Sequence, residues 1–194
     1  MLNRRIGFAL TGSYCTFAEV VPQIEAVRAS GAEVLPIMSE GAAYADTKFG
    51  ASKMWKEEIL AAAGASKIVM TIIQAEPIGP GKLLDLLIVA PCTGNTIAKI
   101  ANAITDSAVT MAVKAHLRNQ RPVLIAVSTN DGLGLNASNI GKLISSKHIY
   151  LVPFGQDNPV AKPSSLVAHM ELIPEAARLA LQGIQMQPLL RVRA

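Results

Sequence analysis

The stretch Leu83–Ser107 reads LLDLLIVAPCTGNTIAKIANAITDS, and it decides how the rest of the chain is interpreted. Its first part, Leu86–Ala90, is an uninterrupted apolar run, typical of a strand buried on both faces of a parallel sheet. Pro91 is predicted to end that strand. Apolar residues then recur at helical spacing from Ile97 to Ile104, which indicates a helix that buries one face.

Small hydrogen-bonding residues, Cys92–Thr96, lie between the predicted strand and the predicted helix. In doubly wound α/β folds, ligands bind in the crevice at the carboxyl ends of the strands. A helix that begins there presents unpaired backbone N–H groups to an anion. The stretch therefore predicts a strand–turn–helix unit at the edge of a binding crevice.

The composition predicts a single domain over residues 1–194. A chain of 194 residues that is 51% hydrophobic is long enough for one sizeable core but too short for two domains. No apolar run approaches the roughly 20 residues of a membrane span, and Met1–Leu10 lacks the long apolar part of a signal peptide. We therefore predict a cytoplasmic protein that does not associate with membranes.

Charge and cysteine content argue against several kinds of site. The formal net charge is +4 and only 4% of residues are aromatic, so a small anionic ligand fits better than nucleic acid. Cys15 and Cys92 are too few for a disulfide framework or a zinc site, so no metal is predicted. Each follows a predicted strand, and burial as a small side chain is favoured over a place in the crevice.

A βαβ unit is predicted at the start of the chain, with strands Arg5–Leu10 and Glu33–Met38 around a helix over residues 17–30. Thr16 and Glu19 fit a capping box at the start of that helix.

The turn after the first strand carries Gly12 but lacks the GxGxxG dinucleotide motif. Ser39 ends the second strand, where a ribose-binding acid is expected in a dinucleotide site. A serine there suits a terminal phosphate, because a carboxylate would repel it. Gly12, Ser13 and Ser39 therefore predict a mononucleotide phosphate pocket, and turn chemistry explains Gly12 and Ser13 equally well.

Further elements of the same alternating pattern follow along the chain. They are a short amphipathic helix within residues 44–65, a strand or irregular edge over 67–73, a Pro- and Gly-rich loop over 75–81, a helix over 107–117 capped by Asp106, strands over 122–127 and 148–152, a polar loop over 128–136 whose Asn136 caps a helix through Ile144, and a terminal helix over 163–181. This order predicts a three-layer, doubly wound, Rossmann-like (flavodoxin-like) parallel sheet.

Several motifs resemble those of the flavin mononucleotide (FMN) flavoprotein family, which includes phosphopantothenoylcysteine decarboxylase, peptidyl-cysteine decarboxylases and flavin prenyltransferases. The stretch Pro91–Ser107, PCTGNTIAKIANAITDS, is similar to the family's SANT…KIANGIxDN motif. Gly12–Ser13, Ser39 and Ser128–Asn130 lie where the family has its other flavin contacts. The resemblance covers the chain from Arg5 to about Val152 and implies FMN as the cofactor.

Residues from several strand ends are expected to serve that cofactor. The predicted cofactor-binding residues are Gly12, Ser13, Tyr14, Ser39, Thr93, Gly94, Asn95, Thr96, Ser128 and Thr129. Gly94 allows a close approach of the ligand, and the residues around it can cradle the ribityl chain or the ring edge. Helix capping is the alternative role for Asn95 and Thr96.

Two departures from the decarboxylase pattern bear on catalysis. Pro77 replaces the family's histidine before the central strand, which argues against cysteine oxidation. The Pro-x-Met-Asn substrate clamp is replaced by Val127–Asn130, which keeps only the asparagine. Glu76 and Asn130 are the predicted catalytic residues, with a loop-capping carboxylate as the alternative for Glu76.

A closer resemblance is carried by LTGSYCTF, AEPIGP, APCTGN, STNDGLGLN and VPFGQDNP, which look like the family of dipicolinate synthase B subunits of spore-forming bacteria. It implies a nicotinamide-binding A subunit of dipicolinate synthase as partner. The implied reaction forms pyridine-2,6-dicarboxylate by water loss and removal of a hydride equivalent. Lys82, Lys114 and Arg118 are candidates for binding the substrate carboxylates. A homo-oligomer, a trimer or a multiple of one, is implied by the fold family.

Two other functions remain open on the sequence alone. One is a non-catalytic partner that carries the flavin-binding fold and holds or regulates the A subunit. The other is a flavin prenyltransferase, which is disfavoured because the loop over 128–136 contains no Lys or Arg for a prenyl phosphate.

Overall fold

A seven-stranded sheet forms the middle layer of the structure, a computed structural model that describes residues 1–192. The strands are β1 (Arg5–Leu10), β2 (Glu33–Met38), β3 (Leu86–Cys92), β4 (Val123–Thr129), β5 (Ile149–Leu151), β6 (Phe154–Asn158) and β7 (Lys162–Ala168). Their order is β2-β1-β3-β4-β7-β6, with β5 also paired to β4. Strands β1 to β5 are mutually parallel, whereas β6 and β7 form an antiparallel hairpin.

Helices flank the sheet and complete the three layers. They are α1 (Phe17–Ala29), α2 (Glu40–Tyr44), α3 (Ser52–Ala63), α4 (Ile72–Ala75), α5 (Gly94–Ala101), α6 (Ala108–Leu117), α7 (Ala137–Ile144) and α8 (Ile173–Ala180). Helix α1 packs with α3 and α8, and α6 packs with α4 and α5. The predicted α/β fold is confirmed. Within residues 1–192, no helix is both long and apolar enough to cross a membrane.

The central strands are made of apolar residues and are buried along their length. Every residue of β3 is buried, as are five of the six residues of β1. Removing this apolar surface from water is the main favourable contribution to folding. It also holds the carboxyl ends of these strands in fixed positions. The parallel strands β1 to β5 are called the frame below.

Strand β3 does not end at Pro91, as predicted, but runs on to Cys92. The pairing of β3 with β4 shifts register between Val89 and Cys92. Such an irregularity accommodates a proline, which has no N–H to donate to the ladder.

The predicted terminal helix over residues 163–181 is wrong in its first half. Lys162–Ala168 is β7, which pairs with β6 and with the end of β4. Helix α8 begins only at Ile173, and the proline in its first turn is Pro174 rather than Pro163. Proline is favoured at the start of a helix, so the sequence offered two such starts and the pairing of β7 decided between them.

One edge of β4 is divided between two partners. Val123–Ile125 pair with β5 in parallel, whereas Ser128 and Thr129 pair with β7 in antiparallel fashion. The hairpin therefore attaches to the sheet at the carboxyl end of β4.

The caps predicted at Thr16 and Asp106 do not form. The Thr16 hydroxyl donates to the carbonyl of Ser13 (2.9 Å) and makes no cap bond to α1. Ser107, not Asp106, caps α6 by accepting a hydrogen bond from the N–H of Thr110. Asp106 instead forms an ion pair with Lys99.

Between α3 and β3 the chain is irregular apart from the short helix α4 and one 3-10 helix. It contributes one isolated bridge, between Val69 and Ile37, at the edge of the sheet. The predicted Pro- and Gly-rich loop contains a short 3-10 helix, Glu76–Ile78.

Candidate functional site

A cavity of about 530 Å³ lies where the carboxyl ends of β1, β3 and β4 meet the hairpin. Its lining is mostly small and polar. The lining residues are Gly12, Ser13, Tyr14, Cys15, Phe49, Thr93, Gly94, Asn95, Ser128, Thr129, Asn130, Asp131, Asp157, Lys162, Ser165 and Val167. This is the position at which parallel α/β sheets bind ligands.

Thr11 joins the ends of β1 and β3. Its hydroxyl donates to the carbonyl of Pro91 (2.7 Å) and accepts from the N–H of Thr93 (2.9 Å). Because Thr11 is buried, both bonds are shielded from water. The turn after β1 is thereby held beside the start of α5. Thr11 was not predicted from the sequence, since its role depends on contacts about eighty positions away.

Ser13 and Ser128 connect the turn after β1 to the end of β4. Their hydroxyl oxygens lie 2.7 Å apart, and either can be the donor. Ser128 is buried, whereas Ser13 is partly exposed. A hydroxyl both donates and accepts, so this pair can rearrange to meet an oxygen of a ligand.

Gly94 allows α5 to begin against the loop that follows β4. A Cβ atom at this position would lie 2.5 Å from the hydroxyl of Thr129, 2.6 Å from Nδ2 of Asn136 and 2.7 Å from Oδ1 of Asp131. A larger residue would therefore push the loop away from the helix. Thr93 caps the helix by accepting from the N–H of Thr96.

Asp131 organises that loop. Its carboxylate accepts hydrogen bonds from the Thr129 hydroxyl and from Nδ2 of Asn136 (2.8 Å). Asn136 stands at the predicted cap position of α7, but its side chain makes this bond to Asp131 and accepts one from Asn139, with no cap bond to the helix. Asn136 therefore stabilises the loop and does not cap α7.

The hairpin forms the remaining wall and brings charged groups to the cavity. Asp157 of β6 and Lys162 of β7 form an ion pair with an Oδ2–Nζ distance of 2.7 Å. Ser165 donates to the carbonyl of Thr129 (3.3 Å), which fixes the hairpin to β4. None of the three was predicted from the sequence, because their segments were not recognised as strands. The Asn158-Pro159 pair is a turn signal that favours a hairpin there.

Nine of the twelve predicted site residues line this one cavity. They are Gly12, Ser13, Tyr14, Thr93, Gly94, Asn95, Ser128, Thr129 and Asn130. The structure places them together, and their roles stay predictions.

Three predicted residues lie outside the cavity lining. Ser39 caps α2 by accepting from the N–H of Ala42 (3.3 Å). Thr96 is buried, and its hydroxyl accepts from that of Thr93 (3.1 Å). Glu76 is exposed in its 3-10 helix. The candidate cations Lys82, Lys114 and Arg118 are likewise absent from the lining, where Lys162 stands instead.

Two groups at the cavity have altered proton affinities. Burial raises the pKa of Tyr14, whose hydroxyl donates to the carbonyl of Gly41 (2.6 Å). The hydrogen bond that Lys162 donates to Asp157, and then the charge of Asp157, raise the pKa of Lys162. At neutral pH the cavity therefore presents a neutral phenol and a charged ammonium group. Among residues 1–192, no cluster of three His, Cys, Asp or Glu side chains has the arrangement of a metal site.

Comparison with known proteins bears on the class of this cavity. The family model described as Flavoprotein matches residues 1–174, about nine-tenths of the chain. The chain belongs to the Flavoprotein family. That family membership confirms the flavoprotein class expected from the central motif.

Relatives with the same architecture agree with this assignment. The chain is 48% identical to the B subunit of dipicolinate synthase from Bacillus subtilis (strain 168) over 188 residues, which are 97% of this chain and 94% of that one. The crystal structure of the dipicolinate synthase B subunit from Bacillus halodurans C is also 48% identical, with a TM-score of 0.91 over 100% of this chain and 98% of that one.

A more distant structure shares only the fold. That of the FMN-dependent cysteine decarboxylase SpaF is 22% identical, with a TM-score of 0.66 over 91% of this chain and 97% of that one. The resemblance to the dipicolinate synthase B subunits and to the decarboxylase fold, expected from the sequence, is confirmed.

Proposed function

We propose that this flavoprotein is the FMN-binding subunit of a dipicolinate synthase. It would act with a nicotinamide-binding A subunit to form pyridine-2,6-dicarboxylate from a dihydrodipicolinate-type intermediate during sporulation. The observation that carries this proposal is the 48% identity to a dipicolinate synthase B subunit along nearly the whole of both chains. On this proposal the chain is part of an oxidoreductase and works in the cytoplasm of the mother cell.

The residues of the cavity fit a flavin mononucleotide. The phosphate and ribityl hydroxyls of FMN need hydrogen-bond donors and acceptors, which the Ser13–Ser128 pair and Thr93 supply. Asn95 and Asn130 offer amide groups that can both donate to and accept from the ring edge. The backbone approach that Gly94 permits keeps the start of α5 at the cavity. These groups are uncharged, and the two carboxylates of the lining are engaged elsewhere, Asp131 with Thr129 and Asn136 and Asp157 with Lys162.

The reaction asks for removal of a hydride equivalent and a proton from a ring that becomes aromatic. Bound FMN supplies the acceptor for the hydride equivalent. The chain's own residues would bind the substrate and orient it in the cavity. Asn130 reaches this cavity from the end of β4 and can hold a substrate oxygen by its amide.

The experiment begins with the absorbance spectrum of the purified chain after incubation with excess FMN. We expect a bound flavin band. On addition of the dihydrodipicolinate-type substrate and the A subunit, we expect formation of pyridine-2,6-dicarboxylate, measured by its ultraviolet absorbance. Absence of flavin binding would contradict the cofactor assignment. A full rate from the A subunit without this chain would contradict the chain's part in the reaction.

One observation favours a second candidate, a non-catalytic partner of the A subunit. Glu76, the predicted acid/base residue, is exposed and does not line the cavity, and Pro77 stands where the decarboxylases have a histidine. In that case the chain would support the A subunit, leaving proton transfer to it. Asn130→Ala and Asn95→Ala decide between the two: unchanged product formation with intact assembly would favour the partner role.

We further propose a homo-oligomer, a trimer or a multiple of one. Its support is the fold-family resemblance carried by the central motif Pro91–Ser107. Analytical ultracentrifugation of the full chain measures the state directly, and a monomer at micromolar concentration would contradict it.

A further inference from the structure

The hairpin places one ion pair at the cavity, and Lys162 is the only cation among the described residues that line it. Lys162 opens β7 and Asp157 lies in β6, with 2.7 Å between the ammonium nitrogen and the carboxylate oxygen. Of the other described residues in the lining, the charged one is Asp131. Counted as formal charges, the lining therefore carries two negative groups and one positive group.

A dicarboxylate substrate meets an unfavourable field in such a cavity unless it contacts the cation. Carboxylates bound by proteins are held by charge-assisted hydrogen bonds, which are about twice as strong as neutral ones. Asp131 is turned toward Thr129 and Asn136, which accounts for both of its carboxylate oxygens. Lys162 is left as the group that can offset the charge of an incoming anion.

The ammonium group of Lys162 has donors to spare. It carries three N–H bonds, and Asp157 accepts one of them. The side chain is 61% exposed, so solvent and ligands reach the remaining donors. The hydrogen bond to Asp157 raises the pKa of Lys162, which is charged at neutral pH with or without that partner.

We propose that Lys162 binds a carboxylate of the pyridine dicarboxylate and that Asp157 holds the lysine in place while competing for it. This inference rests on the proposed function for the identity of the ligand. Its consequence is asymmetric: loss of Lys162 weakens binding of the dicarboxylate, whereas loss of the Asp157 charge strengthens it. A pair that only braces the hairpin would give the same effect from either side.

The test is a calorimetric titration of the full chain, saturated with FMN, with pyridine-2,6-dicarboxylate. We expect Lys162→Gln to raise the Kd about tenfold, the loss of one charge-assisted hydrogen bond. Lys162→Arg should stay within about threefold of the original, because it keeps the charge and the donors. Asp157→Asn should lower the Kd, because the competing carboxylate is gone.

Lys53→Gln is the matched control. Lys53 forms an exposed ion pair with Glu57 on α3, with 3.9 Å between nitrogen and oxygen, away from the cavity lining. Its Kd for the dicarboxylate should equal that of the original chain. Circular dichroism of each variant checks that the fold is retained.

Each remaining outcome overturns the inference. Equal weakening by Lys162→Gln and Asp157→Asn would make the pair a structural brace. A lower FMN affinity in Lys162→Gln, measured by flavin fluorescence, would assign the lysine to the cofactor instead. An unchanged Kd, or no binding of the dicarboxylate by the original chain, would remove the carboxylate role. The proposed function fails separately, if the original chain adds nothing to product formation by the A subunit.

Discussion

The parallel half of the sheet and the antiparallel hairpin contribute to the same cavity in opposite ways. The ends of β1, β3 and β4 are buried, and their polar groups are engaged with one another, as in the Thr11–Pro91 and Ser13–Ser128 bonds. The hairpin is exposed at its turn, where Val160 is 94% accessible, and it carries the charged pair. The comparison shows that the buried strand ends fix the polar part of the cavity lining, whereas the hairpin contributes the Asp157–Lys162 ion pair.

The largest effect is expected from Gly94→Ala, in the parallel half. The added Cβ would come within 2.7 Å of three side-chain atoms from the loop after β4. We expect loss of detectable FMN binding and a fall of about 3 kcal/mol in the free energy of unfolding, the upper end for overpacking. Flavin fluorescence and urea denaturation measure the two effects.

Gly141→Ala is the control for that substitution. A Cβ at Gly141, within α7, meets nothing within 4 Å. Alanine is the better helix former, so the free energy of unfolding should rise by about 1 kcal/mol with FMN affinity unchanged. Equal changes in FMN affinity and in the free energy of unfolding for the two variants would contradict the special role given to Gly94.

The next effect is a loss of folding stability at acid pH, which we expect to come from helix α6, packed on the parallel strands. His116 on α6 is 1% exposed; burial, and then the charge of Arg121, lower its pKa to about 4. Between pH 6.5 and 4 the unfolded chain therefore binds more protons than the folded one, and stability falls as the pH falls. The loss attributable to His116 reaches about 3 kcal/mol near pH 4.

His116→Met should flatten that part of the pH profile, because it removes the titrating group and keeps an apolar side chain of similar size. Urea denaturation at several pH values between about 4 and 7 measures the slope. Hairpin variants such as Lys162→Gln should keep the original slope. The same slope in His116→Met as in the original chain would refute this assignment.

Much of the frame could be predicted from the sequence, because buried parallel strands appear as apolar runs. Arg5–Leu10 and Glu33–Met38 were predicted with the bounds that the structure shows. The hairpin could not be predicted in this way, since β6 is mostly polar and half-buried and β7 begins with two exposed residues. Their strand state comes from pairing with each other and with β4, which local periodicity does not record.

The site divides along the same line. Residues at the ends of predicted strands, such as Ser13, Asn95 and Ser128, do share one cavity. Ser39 also follows a predicted strand, but its hydroxyl caps α2, a choice between local and ligand bonds that the sequence leaves open. Lys162 was not predicted as a site residue because its segment was not recognised as a strand.

A smaller effect sharpens the description of the frame. The Ser13–Ser128 bond joins two strand ends, and a double-mutant cycle with Ser13→Ala and Ser128→Ala should give a coupling free energy of about 1 kcal/mol. Urea denaturation of the two single variants and the double variant measures it. A coupling indistinguishable from zero would mean that the two hydroxyls act independently.

The smallest effect on stability is expected in the hairpin. The Asp157–Lys162 pair is exposed, and exposed ion pairs contribute little to folding. Lys162→Gln should therefore leave the unfolding midpoint unchanged, as measured by circular dichroism. A clear drop would show that the hairpin belongs to the frame.

The shared edge of β4 gives this architecture room to diversify. Ser128 and Thr129 of β4 pair with β7, whereas Val123–Ile125 pair with β5, so the hairpin and β5 are attached to β4 through different residues. A longer, shorter or differently charged β6–β7 hairpin can therefore pair with the end of β4 while β5 keeps its register. Changes in the hairpin can thus alter the charge at the cavity without changing the pairing of the parallel strands.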